Sequence, residues 1–179
     1  MKSLKTALAA AAMALSVLTG AQAGDAANTY TALKGLAGYW VGKVTTDYPE
    51  SGFDGINLQV RIRVTSSGNA IVHEMGAAAN GQGPEHMGDI TVFYLEDDNV
   101  LGTHFCDADT RSRLKAAPLS DPNVLVFGFV DVTGNTKFGY VHDLTFKPVS
   151  PDHHIEQLTF VMPNKRVMHA QFDLQKVNP

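Results

Sequence analysis

The chain predicts an all-β fold: an antiparallel up-and-down β-barrel of about ten strands with a short N-terminal helix. Three observations carry this. From Tyr39 onward apolar residues recur with a period of two, the spacing of strands with one buried face. The runs are separated by two- to four-residue clusters of Gly, Asn, Asp, Ser and Pro, which join only antiparallel neighbours. Between the runs there is no 3.6-residue pattern long enough for a crossover helix. A meander of this kind closes on itself to remove its edges. A two-sheet sandwich is the alternative.

The elements follow in order. Residues 1–23 read as a cleaved signal peptide: Lys2 and Lys5 precede an apolar stretch over 8–18, and Ala21-Gln22-Ala23 supplies a small-residue cleavage site. This predicts a periplasmic or secreted protein whose mature part, 24–179, is a single domain. A helix of one to two turns is expected over 28–38, capped by Asn28 or Thr29, with Leu33 and Leu36 on its apolar side and Gly35 and Gly38 ending it. Strands are expected near 39–47, 55–65, 69–77, 88–95, 99–106, 110–117, 123–132, 137–148, 153–161 and 165–176. Tight turns fall at Ser66-Ser67-Gly68-Asn69, Asp97-Asp98-Asn99, Thr133-Gly134-Asn135 and Pro163-Asn164. The connection over 77–87, rich in Gly, is too long for a hairpin and reads as a lid or a surface excursion.

Composition removes several function classes. Eighteen acidic and 14 basic residues are interspersed, giving a formal net charge of −4. No basic patch exists for nucleic acid or an anionic membrane surface, and no apolar run is long enough for a membrane span. Cys106 is the single cysteine, so no intramolecular disulfide forms despite the expected oxidising destination. The expected partner is a small molecule, with a homodimer left open.

Alternation sorts the candidate chemistry. Phe138, Tyr140, His142, Leu144 and Phe146 share one face, which places His142 among core side chains. Met168, Ala170, Phe172 and Leu174 form an apolar face, with His169, Gln171 and Asp173 opposite. Ile71, His73 and Met75 share a face, as do His104 and Cys106. Arg111, Arg113 and Lys115 form a solvated outer side. His104 and Cys106, two apart on a strand, can chelate one ion, with His142 or His73 completing a three-ligand site for Zn²⁺ or copper. The bland alternative is a hydrogen-bonded core histidine beside an inert buried thiol. His153 and His154 follow Pro151-Asp152 in a turn and are expected in solvent.

Gly38-Tyr39-Trp40-Val41-Gly42, straight after the helix, resembles the G-x-W-x-G opening of calycin barrels, the group of lipocalins, fatty-acid-binding proteins and nitrobindins. The resemblance implies that Trp40 plugs one end of the barrel against the helix. Gly88 to Leu95, Thr103-His104-Phe105-Cys106 and Tyr140-Val141-His142-Asp143-Leu144-Thr145-Phe146 are similar to an uncharacterised lipocalin-like family of secreted bacterial proteins with a T-H-[YF]-C strand. The nitrobindin likeness implies haem held by a histidine of the last strand, here His169.

Together these readings predict a barrel that holds a small apolar or amphipathic ligand between aromatic walls drawn from Phe93, Phe127, Phe129, Tyr140, Phe146 and Phe160. His73, His104, Cys106 and His142 are the expected polar contacts, beside Tyr140 and Phe146. Two alternatives stay open: a metal or haem barrel, and an isomerase or cyclase using His104 or His142 as acid and base.

Overall fold

The computed structural model describes residues 15–77, 88–121 and 123–178. Most of the leader, and all but Ala77 of the long connection expected over 77–87, fall outside them. The chain forms a helix, α1 (Leu15–Gly35), followed by ten strands: β1 (Gly38–Thr46), β2 (Asn57–Thr65), β3 (Ala70–Ala77), β4 (Asp89–Glu96), β5 (Asn99–Phe105), β6 (Thr110–Ala116), β7 (Leu125–Gly134), β8 (Tyr140–Ser150), β9 (His153–Val161) and β10 (Val167–Val177). Each strand pairs antiparallel with its neighbours in sequence, and β1 pairs with β10 to close the barrel.

The turns work as their residues dictate. Asp97 and Asp98 take positive φ of 47° and 59° between β4 and β5, as a two-residue hairpin loop requires. The Asn99 side-chain amide donates to the carbonyls of Glu96 and Asp97. Closure depends on one glycine. A Cβ at Gly42 would lie 1.8 Å from the carbonyl oxygen of Asp173, so only a residue without one lets β1 lie against β10.

The helix departs from expectation. It does not start at Asn28 or Thr29 but runs unbroken from Leu15, because the Ala-rich stretch before Asn28 is itself helix-forming. It ends at Gly35 as expected, in a tightened turn where the N–H of Leu36 donates to Leu33 and that of Ala37 to Lys34. Ala26, Thr29, Tyr30, Leu33 and Leu36 form its buried stripe. This stripe covers the end of the barrel where β1, β3, β5, β7 and β9 begin, and the indole N–H of Trp40 donates to the Leu36 carbonyl at 2.9 Å. Among the described residues no helix is long and apolar enough to cross a membrane.

Strict alternation holds on β6 and β10: Leu114, Met168, Ala170, Phe172 and Leu174 point inward, and Arg111, Arg113 and Lys115 outward. On the outer face of β2 and β3, Arg61 clamps Glu74 with contacts of 2.7 and 2.8 Å, and Arg63 adds a third at 3.2 Å. The Arg61 hydrogen bonds hold the Glu74 carboxyl below its usual range against the opposing effect of burial.

Candidate functional site

The interior divides into an aromatic centre and a polar belt. Phe93, Phe127 and Phe146 are buried and touch one another, with ring centroids 4.7 to 6.0 Å apart. They pack the middle of the barrel, where the sequence led us to expect a ligand between aromatic walls. Phe129 and Tyr140 are not part of that trio; they lie half-buried against each other, 5.5 Å apart, elsewhere along β7 and β8.

The polar belt follows from strand register. His73 on β3 is opposite Thr91 on β4, Thr91 is opposite His104 on β5, and His104 is opposite Ser112 on β6. Direct cross-strand partners project to the same side, and all four are buried. The Thr91 hydroxyl and Nδ1 of His104 are 2.9 Å apart. Among the described residues, Nε2 of His104, Oγ of Ser112 and Oγ1 of Thr110, one step nearer the strand end, have no hydrogen-bond partner. Burial, reinforced by the charge of His73, pushes the His104 imidazole down to about 3, so it is neutral at ordinary pH.

From β9, Glu156 and His154 complete the belt. Nε2 of His73 lies 3.0 Å from Oε2 of Glu156, and Nε2 of His154 lies 2.9 Å from Oε1. His154 also meets the Trp40 ring edge-on at 4.1 Å. Burial works against a charge on Glu156, but the field of His73 and the hydrogen bonds from both imidazoles outweigh it and bring its carboxyl to about 2. His154 and Glu156 escaped the sequence reading. His154 is fully buried, which overturns its expected place in solvent. The missed signal was parity: His154, Glu156, Leu158 and Phe160 alternate, and Leu158 marks the inward side.

At the end of the barrel away from α1, a second cluster forms. Asp89 begins β4 and Cys106 follows β5, one ladder step beyond the Ile90–Phe105 pair. One ligand-type atom each from Asp89, His104 and Cys106 lies within 4.8 Å of the others. The backbone N–H of Asp107 donates to Oδ1 of Asp89 at 3.0 Å. Burial, with the neighbouring Asp89 charge, pushes the Cys106 thiol up to about 11, and burial likewise raises Asp89. The pairing of His104 with Cys106 is thus found, and Asp89 joins it without having been foreseen.

His142 is not where alternation put it. A bulge between Val141 and Asp143 breaks the pairing of β8 with β9, so Val141 takes the buried place. The His142 side chain is 40% exposed, and its Nδ1 lies 2.8 Å from Oδ2 of Asp143. Its ring stacks on Phe129 at 4.7 Å with an 11° tilt. It is therefore corrected from a core position to a half-exposed ledge, outside the Asp89–His104–Cys106 group. Phe138 likewise lies exposed in a short turn before β8. The ledge sits where β7 and β8 part: they are registered over only three pairs, Leu125↔Phe146 to Phe127↔Leu144, although both strands continue. His169, the residue implied for haem, is on the outer face, with its Nδ1 3.3 Å from the Thr159 hydroxyl.

No protein-family profile matches the chain, and no curated protein matches it. Among solved structures, the chain is similar to a protein of unknown function from the DUF3598 family of Nostoc punctiforme, with 11% identity and a TM-score of 0.41. The match covers 80% of this chain and 48% of that one, so this chain spans about half the length of that protein.

Proposed function

We propose that the protein is an exported binding barrel that takes a small amphipathic molecule at the end away from α1, on the ledge formed by Phe129, Tyr140 and His142. The observation behind this reading is the parting of β7 and β8 beyond Phe127, with three half-buried rings at the gap, His142 stacked on Phe129 and Tyr140 tilted against it. Ring faces left half-buried beside a strand opening offer apolar area, and the His142–Asp143 pair supplies a polar contact at its edge. The packed Phe93–Phe127–Phe146 centre moves the ligand from the middle of the barrel to its mouth. Export rests on the leader-like residues 1–23.

The test is titration of the full chain with anilinonaphthalene sulfonate, a planar amphipathic dye. One dye should bind per folded chain, and Phe129→Ala and Tyr140→Ala should each weaken binding about five- to tenfold, as loss of a stacking partner worth roughly 1–1.4 kcal/mol predicts. Unchanged affinity in both variants overturns the proposal. Native mass spectrometry of the chain from its own host then identifies the natural occupant.

A further inference from the structure

We infer that Asp89, His104 and Cys106 form a transition-metal site suited to Zn²⁺, at the end of the barrel away from α1. The three donors are an oxygen, an imidazole nitrogen and a sulfur held within 4.8 Å. That mixture suits a borderline-soft ion and disfavours Mg²⁺ and Ca²⁺, which select oxygen-only cages. Donors around a tetrahedral ion stand roughly 3.3–3.8 Å apart, given bonds of about 2.0–2.3 Å. The cluster, with donors within 4.8 Å, therefore has to contract by at most about 1–1.5 Å.

His104 supplies the second, independent observation. It is almost wholly buried, and one of its nitrogens has no hydrogen-bond partner among the described residues. Nδ1 lies 2.9 Å from the Thr91 hydroxyl; in the tautomer whose Nδ1–H donates to that hydroxyl, the lone pair falls on Nε2, which has no partner among the described residues. Metal-binding imidazoles are oriented in this way by a hydrogen bond on the other ring nitrogen. Asp89 is steadied in turn by the Asp107 N–H. The buried nitrogen is closed to water, but a bare ion bonded at about 2 Å needs no water-sized space.

Binding converts the Cys106 thiol to a Zn-bound thiolate and releases its proton to solvent. Three protein donors leave a fourth position for water or an external ligand. This site is independent of the aromatic ledge and does not require its occupant.

The experiment is titration of the chelator-treated full chain with Co²⁺, followed by displacement with Zn²⁺. One equivalent of Co²⁺ should give a thiolate-to-cobalt charge-transfer band that Zn²⁺ abolishes. Thr91→Val should weaken binding by about ten- to a hundredfold through loss of ring orientation. Cys106→Ser and Asp89→Asn should weaken it further, and Cys106→Ser should erase the band. His169→Gln and Phe129→Ala should leave Co²⁺ binding unchanged, which separates this site from surface histidines and from the ledge. Absence of the band in the folded wild-type chain overturns the inference, as does wild-type affinity in Cys106→Ser and Asp89→Asn. Should those variants fail to fold, alkylation of wild-type Cys106 decides: Zn²⁺ slows it at the proposed site, and equal rates with and without Zn²⁺ refute the site.

Discussion

Nε2 of His73 on β3 lies 3.0 Å from Oε2 of Glu156 on β9, so a buried imidazole and a buried carboxylate join distant walls of the barrel. Removing one partner strands the other. Glu156→Leu should lower the unfolding free energy by about 3–5 kcal/mol. The double variant His73→Phe, Glu156→Leu should lose less than the sum of the single losses. Urea unfolding of the three variants measures both; additive losses would show that the two residues do not act as a pair.

Acid should unfold the protein in two stages. His104 titrates at about 3 in the fold against 6.5 for a free imidazole, and Glu156 at about 2 against 4.5. Both folded values lie below the unfolded ones, so the unfolded chain binds more protons as pH falls. The contributions of these two groups are full above pH 6.5; that of His104 declines below 6.5 and that of Glu156 below 4.5, with the loss complete only near 2. Each group contributes at most about 1.4 kcal/mol per pH unit. Urea midpoints between pH 7.5 and 3 test this, and His104→Gln should flatten the segment above 4.5.

The hydroxyls of Thr110 and Ser112 are buried and have no partners among the described residues. Deleting an unpaired buried hydroxyl removes its desolvation penalty. Thr110→Val and Ser112→Ala should therefore leave stability unchanged or raise it by up to about 1–2 kcal/mol, where core substitutions ordinarily lower it. A loss above about 1 kcal/mol in urea unfolding would mean that these oxygens are hydrogen-bonded in solution.

Trp40 ties α1 to the barrel through its bond to the Leu36 carbonyl. Trp40→Phe keeps a ring but deletes the donor and should lower stability by about 2 kcal/mol. Hydrogen exchange should quicken in the last turns of α1 before it quickens in the strands. Uniform quickening would remove the anchoring role.

Gly42→Ala should be among the most damaging single changes. Its Cβ would collide with the Asp173 backbone, which a side-chain rotation cannot relieve. A loss above about 4 kcal/mol, or insoluble protein, is expected. A variant with wild-type melting behaviour would mean that β1 and β10 do not approach each other this closely at Gly42 and Asp173.

Strand number, order and most bounds were legible because turn residues and two-residue alternation are local signals. The buried faces of β6 and β10 followed from the same rule. The rule failed at His142, because the bulge beside Val141 shifts parity and nothing in the local sequence announces it. It was not applied to β9, so the buried His154–Glu156 pair was missed although its parity was readable. Asp89 was missed for another reason. Its nearness to Cys106 follows from the register that the two-residue Asp97-Asp98 turn sets between β4 and β5, a cross-strand relation that alternation along one strand does not encode. The start of α1 was misplaced because a capping residue marks a helix start only where the preceding chain resists helix, and here it does not.

The pairing of β1 with β10 joins the first strand to the last. Every other pairing in the ribbon forms between sequence neighbours and can be made as the chain emerges. The final one waits for nearly the whole polypeptide and bears the full entropy of a long loop. Until it forms, two raw strand margins stay available to other molecules, and an interrupted chain would be a template for aggregation. Synthesis and refolding should thus share one slow, concentration-sensitive last step, which sets how long a newly made molecule needs shelter.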